Sequence, residues 1–112
     1  MNTPDMATYL LERIAEDEAV AREAVADHPG PWYPGDHSDP AVVHIARWDP
    51  DRVLAECRVR REIVQFCQWV RDNHGYADWG AGDTAGEVLL HLVQSHADRP
   101  DFPPEWLSEV AR

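Results

Sequence analysis

The chain has 112 residues, of which 21 are acidic and 10 are basic, so its formal net charge is −11 at neutral pH. This charge disfavours non-specific binding to nucleic acid or to an anionic membrane, because both are themselves negatively charged. No stretch approaches the roughly 18 apolar residues of a membrane span, and the N-terminus lacks the basic and apolar regions of a secretory signal.

The first predicted helix begins close to the N-terminus. Thr3 is a typical N-cap residue, and Pro4 suits the first helical position. Apolar residues then recur at spacings of four and seven, as in an amphipathic helix: Met6, Leu10, Ile14, Ala21 and Val25. We expect this helix to end at about Asp27, because the His-Pro-Gly-Pro sequence that follows cannot continue it.

A loop rich in proline and glycine is predicted over residues 28–40, and the first of two Asp-Pro pairs stands at its end. Asp39-Pro40 and Asp49-Pro50 each predict a helix start, with aspartate as the N-cap and proline in the first helical position. The segment 41–48 contains β-branched residues that could form a short strand, but the capping signal favours a helix of two turns.

The central helix is predicted from Pro50 to about Asn73, with a wide apolar face. Cys57 and Cys67 lie ten residues apart on this face, which is about 15 Å along a helix and too far for a disulfide bond. We therefore expect both cysteines to be buried and reduced, and the protein to be cytoplasmic.

A third helix and a short terminal helix complete the prediction. Thr84 and Glu87 match a capping box at the start of the third helix, which ends before Arg99. The tail is predicted to form a short helix that is held by Phe102, Trp106 and Leu107. The fold class is therefore all-α, a single domain over residues 1–112 with three main helices and irregular Pro/Gly-rich connections.

Histidine is the residue type that raises the question of a metal site. The six histidines are His28, His37, His44, His74, His91 and His96, and none stands in an HxxxH, HExxH or CxxC arrangement. Convergence of His37 and His44 with an acidic residue of the first helix stays open as an alternative. We expect neither a metal nor a cofactor.

Two groups of residues are candidates for binding a partner protein. Glu16, Asp17 and Glu18 form an acidic run on the first helix, for which an ordinary solvated helix face is the simpler interpretation. Trp32, Tyr33 and Trp79 lie in connections, where aromatic residues either hold loops to a small core or serve as anchors for a partner.

The segment HIARWDPDRVLAE at residues 44–56 resembles a domain of unknown function found in small actinobacterial and actinophage proteins. His44 and Arg47 belong to this segment and join the candidate partner-binding residues. The resembling positions are Glu16, Asp17, Glu18, His44, Ala46, Arg47, Asp49, Pro50, Arg52, Val53, Leu54, Glu56, Ala97, Asp98, Pro100, Asp101 and Trp106. Many relatives carry cysteines between the second and third long helices, whereas this chain has none there. A zinc site therefore cannot be carried over from these relatives, and the resemblance implies only the helical fold and a bacterial or phage source.

Three functions follow as hypotheses. The first is a protein-interaction module without catalytic activity that binds another protein through an acidic or aromatic face. The second is a metal-dependent or His/Asp-dependent enzyme with its site near His44 and Asp49. The third is a nucleic-acid mimic whose acidic helices occupy a basic groove.

Overall fold

A computed structural model describes residues 3–27, 38–74 and 80–107 of the chain. The helices of these ranges are α1 (Met6–Asp27), α2 (Pro40–Arg47), α3 (Pro50–His74), α4 (Ala81–Val93) and α5 (Pro104–Leu107), with a 3-10 turn over Gln94–His96. The ranges contain no strand, so the all-α prediction with three main helices is confirmed. None of these helices combines the length and the apolar character needed to cross a membrane.

The two Asp-Pro pairs start helices as predicted. The Oδ1 atom of Asp39 accepts a hydrogen bond from the backbone N–H of Ala41 at 2.9 Å, at the start of α2. The Oδ1 atom of Asp49 accepts one from the backbone N–H of Arg52, also at 2.9 Å, at the start of α3. Each carboxylate thus satisfies an N–H group that has no partner within its helix.

The start of α1 differs from the prediction, in which Thr3 was the N-cap. The helix begins at Met6, and Oδ2 of Asp5 accepts a hydrogen bond from the backbone N–H of Thr8 at 3.2 Å. The Thr3 hydroxyl instead donates a hydrogen bond to the carboxylate of Glu105. The capping role therefore passes to the aspartate two residues further along the chain.

The start of α4 also differs, because the predicted capping box at Thr84 and Glu87 is wrong. The helix begins one turn earlier at Ala81, and the N–H of Thr84 donates to the carbonyl oxygen of Gly80 at 2.9 Å. Gly80 has a φ of 76°, which is the left-handed region that glycine enters without a Cβ penalty. This backbone conformation sets the beginning of the helix.

The chain divides into two compact units, of which unit 1 comprises residues 1–12 and 61–112. Among its described residues, the rings of Tyr9, Phe102 and Trp106 form edge-to-face pairs with centroids 5.3–6.2 Å apart. The Tyr9 hydroxyl donates a hydrogen bond of 2.8 Å to Asp101. Leu107 was expected to join this cluster, but it is 41% exposed, so that expectation is wrong.

Unit 2 comprises residues 13–60 and therefore includes most of α1, the whole of α2 and the first part of α3. Its buried residues include Ile14, Ala21 and Cys57. Cys57 in unit 2 and Cys67 in unit 1 are both buried, and neither forms a disulfide bond, as predicted. That the whole chain forms one domain stays a prediction.

Candidate partner-binding groove

A groove of about 450 Å³ lies in unit 2, open to solvent and mostly apolar. We call it the Trp48 groove. One side is formed by α1 residues Asp17, Val20, Ala21 and Ala24, and the other by α3 residues Val53, Glu56, Cys57 and Arg60. Trp48 and Pro50, at the junction where α2 ends and α3 begins, also line the groove.

The same spacing produces both walls of the groove. The α1 residues lie at positions 17, 20, 21 and 24, and the α3 residues at 53, 56, 57 and 60. Residues three, four and seven apart share one face of a helix, so each helix presents a continuous stripe. Each stripe combines small or apolar residues with charged ones, which are Asp17 on α1 and Glu56 and Arg60 on α3, so the apolar floor has charged groups beside it.

Two large apolar side chains in this groove remain exposed. Val20 is 69% exposed and Trp48 is 47% exposed. Single exposed apolar side chains are common on the surface of folded proteins. Val20 and Trp48 differ because both line the same concave surface. An exposed tryptophan in such a concave site is typical of the anchor residues that dominate binding between proteins.

Charged groups are arranged unevenly around the groove. Arg52 forms a salt bridge of 3.0 Å with Glu56, and its guanidinium carbon lies 5.2 Å from the centroid of the Trp48 ring. Glu56 is therefore already paired. Asp17 is exposed and takes part in no ion pair within the described residues. It is the carboxylate of the groove that is available to a cationic group.

The other residues of the predicted acidic run lie in different surroundings. Glu16 is half exposed and forms a salt bridge of 3.0 Å with Arg13. Glu18 is only 5% exposed, so the expectation that it belongs to a solvated face is wrong. Its position explains this, because it lies four residues after Ile14 and three before Ala21, on the apolar stripe itself.

The candidate residues of the HIARWDP segment lie on or next to α2. His44 and Arg47 are both exposed on this helix, and the carbonyl oxygen of His44 accepts a hydrogen bond from the N–H of Trp48. Asp49 caps α3, and the described contacts include no hydrogen bond or ion pair between its side chain and that of His44. The enzyme hypothesis for this junction stays a prediction.

Several predicted residues lie outside the part of the chain that the structure describes. These are Trp32, Tyr33 and Trp79, together with His28 and His37. Within residues 3–27, 38–74 and 80–107, no three histidine, cysteine or acidic side chains lie close enough to hold a metal ion. The alternative metal site with His37 therefore falls outside the described residues.

Two ionisable groups of unit 1 have a shifted pKa. Burial raises the pKa of the Cys67 thiol, and the nearby Arg71 guanidinium partly offsets this rise. The pKa of the Glu105 carboxyl is lowered mainly by the hydrogen bond from Thr3 and to a smaller extent by one from the backbone N–H of Glu105 itself.

Sequence reasoning missed the groove, although Asp17 was among the candidate partner-binding residues and Trp48 belongs to the HIARWDPDRVLAE segment. The exposed Val20 was not a candidate, and no residue was predicted to line a groove. The repeated spacing at 17, 20, 21, 24 and at 53, 56, 57, 60 was the signal in the sequence. What the spacing does not reveal is that Trp48 stays exposed beside both stripes.

The sequence was also compared with known proteins. The model of a family of unknown function (DUF6221) matches residues 3–108, and the chain belongs to this family. No curated protein and no solved structure matches the chain.

Proposed function

We propose that this member of the DUF6221 family is a protein-interaction module that binds a basic, partly apolar segment of another protein in the Trp48 groove. The observation that carries the proposal is the exposure of Val20 and Trp48 over an apolar floor, with Asp17 beside them. Apolar side chains of the partner would cover the floor, and a lysine or arginine would face the carboxylate.

The apolar part of the groove supplies the larger share of the binding energy. A tryptophan that is 47% exposed offers roughly 120 Å² of surface, which corresponds to about 3 kcal/mol of gross stabilisation when covered. Loss of rotational and side-chain freedom reduces the net gain, so further contacts from Val20 and the floor are needed for a stable complex.

Charge supplies selectivity and speed rather than most of the affinity. A chain with a net charge of −11 attracts a basic partner over a distance and repels nucleic acid. Because exposed charges are screened over about 8 Å at physiological ionic strength, binding should weaken as salt rises. An actinobacterial or actinophage source and a cytoplasmic location are part of the same proposal, supported by the HIARWDP segment and the pair of reduced cysteines.

Site-specific photo-crosslinking in the native host tests this proposal. The photoreactive residue p-benzoylphenylalanine replaces Val20, and the control places it at Ala15, an exposed α1 residue that lies roughly 140° around the helix from Val20. We expect one discrete crosslinked protein from position 20 and none from position 15. Mass spectrometry of the adduct then identifies the partner.

Two further substitutions decide whether that adduct reports the groove. Trp48→Ala removes the aromatic anchor and Asp17→Arg reverses the available charge, and both should abolish the adduct from position 20. Circular dichroism of each variant checks that its helix content is unchanged. An adduct that persists in both folded variants, or that forms equally from Ala15, would contradict the proposal.

A further inference from the structure

A second groove, of about 440 Å³, lies in unit 1 and is almost entirely apolar. We call it the Phe66 groove. Its lining includes Ile63, Phe66, Cys67 and Val70 of α3 and Ala85 and Val88 of α4. The charged side chains that accompany the Trp48 groove are absent from this lining.

Two exposed aromatic rings are stacked at this groove. The rings of Phe66 and Trp69 have centroids 6.2 Å apart and planes inclined by 22°. Phe66, which is itself a lining residue, is 64% exposed and Trp69 is 53% exposed. One face of unit 1 therefore carries both an apolar concavity and exposed aromatic surface.

We propose that this face pairs with the same face of a second copy of the chain. In a two-fold symmetric dimer the same patch meets itself, so the patch must be self-complementary. An exposed aromatic ring next to an apolar concavity meets this requirement, because the Trp69 ring of each copy can enter the groove of the other.

The exposed area fits a symmetric dimer of modest size. The exposed fractions of Phe66 and Trp69 correspond to roughly 250 Å² of aromatic surface per copy. A standard interface buries about 800 Å² per partner, of which somewhat more than half is apolar. These two side chains alone thus supply about half of the apolar area required, and Ile63 and Val88, which are 39% and 37% exposed, add to it.

This face carries only a small part of the negative charge of the chain. Residues 61–74 contain two arginines and two acidic residues, and α4 adds Asp83 and Glu87 without an arginine, so these two segments carry about −2 of the net charge of −11. A basic partner would therefore gain only a small part of the attraction that the whole chain offers. Two copies, by contrast, can meet where their mutual repulsion is weakest, and added salt reduces the repulsion between the rest of the two chains.

Sedimentation equilibrium of the full chain over a range of concentrations tests the dimer. We expect the average mass to rise from 12.7 kDa toward twice that value as concentration rises. The dimer should form at lower concentrations when salt is raised, whereas binding of a basic partner in the Trp48 groove should weaken. The two proposals therefore fail independently.

Substitutions locate the interface. Phe66→Glu, and separately Trp69→Ser, should raise the dissociation constant of the dimer at least about tenfold, as expected for loss of an aromatic anchor. Ile45→Glu is the control, because it introduces the same charge at an exposed apolar residue of α2. This variant should stay within about twofold of the parent, since Ile45 is not among the residues that line the Phe66 groove.

Phe66 and Trp69 are both more than half exposed, so their substitution should leave the fold intact. Circular dichroism checks the helix content of each variant. A mass that stays at 12.7 kDa across the range would overturn the proposal. It would also be overturned by a dimer that salt weakens, or by one that Ile45→Glu disrupts as strongly as Phe66→Glu. A monomer that binds a different protein through Phe66 would identify that protein as the occupant instead.

Discussion

Gly80 and Gly86 provide a matched pair in which one chemical change should have opposite effects. Gly80 precedes α4 with a φ of 76°, whereas Gly86 lies inside the same helix without a positive φ. A Cβ atom added at either position meets no atom within 4 Å, so neither alanine substitution creates a clash. The difference between the two must therefore arise from the backbone.

The expected magnitudes follow from this conformational difference. Gly80→Ala forces an L-residue into the left-handed region, which costs about 1–2 kcal/mol of unfolding free energy. Gly86→Ala raises helix propensity and lowers the entropy of the unfolded chain, so it should stabilise by about 0.5–1 kcal/mol. At about 4 °C per kcal/mol for a chain of this size, Tm should fall by about 4–8 °C in the first variant and rise by about 2–4 °C in the second.

Urea unfolding followed by circular dichroism measures both free energies on one scale. Gly80→Asn serves as a control, because asparagine enters the left-handed region more readily than alanine and should destabilise less. If the two alanine variants changed stability in the same direction, or if Gly80→Asn were as destabilising as Gly80→Ala, the account of how α4 begins would be refuted.

Substitutions at three further positions test other local contacts. Asp49→Ala should cost about 1 kcal/mol in thermal unfolding while Asp49→Asn and Asp49→Ser cost a few tenths; equal losses for all three would show that the charge rather than the cap is required. Burial raises the pKa of the Cys67 thiol. The contribution of this thiol to stability is therefore complete below the ordinary thiol pKa and is lost as pH rises through its pKa in the native protein. Arg71→Gln should raise that pKa further and slow alkylation by iodoacetamide at pH 8, as followed by site-resolved mass spectrometry; faster alkylation would contradict this. Tyr9→Phe should cost about 1–2 kcal/mol in urea unfolding through loss of the hydrogen bond to Asp101, and an unchanged free energy would show that this bond contributes nothing.

Local signals in the sequence were sufficient for most helix boundaries. The caps at Asp39 and Asp49 were predictable because each depends on a contact between one side chain and a backbone group two or three residues away. The start of α4 was not, because a capping box at Thr84 competes in the sequence with a backbone conformation at Gly80 that only the structure reveals.

The candidate sites depend on contacts between distant parts of the sequence, which limited their prediction. Helical spacing could have indicated the stripe at Asp17 and Val20, and it could have placed Glu18 among buried residues. It could not show that the α1 stripe faces the stripe on α3, or that Trp48 remains exposed beside them. Phe66 and Trp69 are three residues apart and so lie on one face of α3. The exposure of this stacked pair, however, depends on where α4 packs.

The affinity of the crosslinked partner for two tryptophan variants tests the central proposal most directly. Trp48 and Trp69 are about equally exposed, at 47% and 53%, but they lie beside different grooves. We expect Trp48→Ala to raise the partner's Kd at least about tenfold, which corresponds to about 1.4 kcal/mol, and Trp69→Ala to change it less than about twofold. Equal effects of the two substitutions, or a larger effect of Trp69→Ala, would contradict the assignment of partner binding to the Trp48 groove.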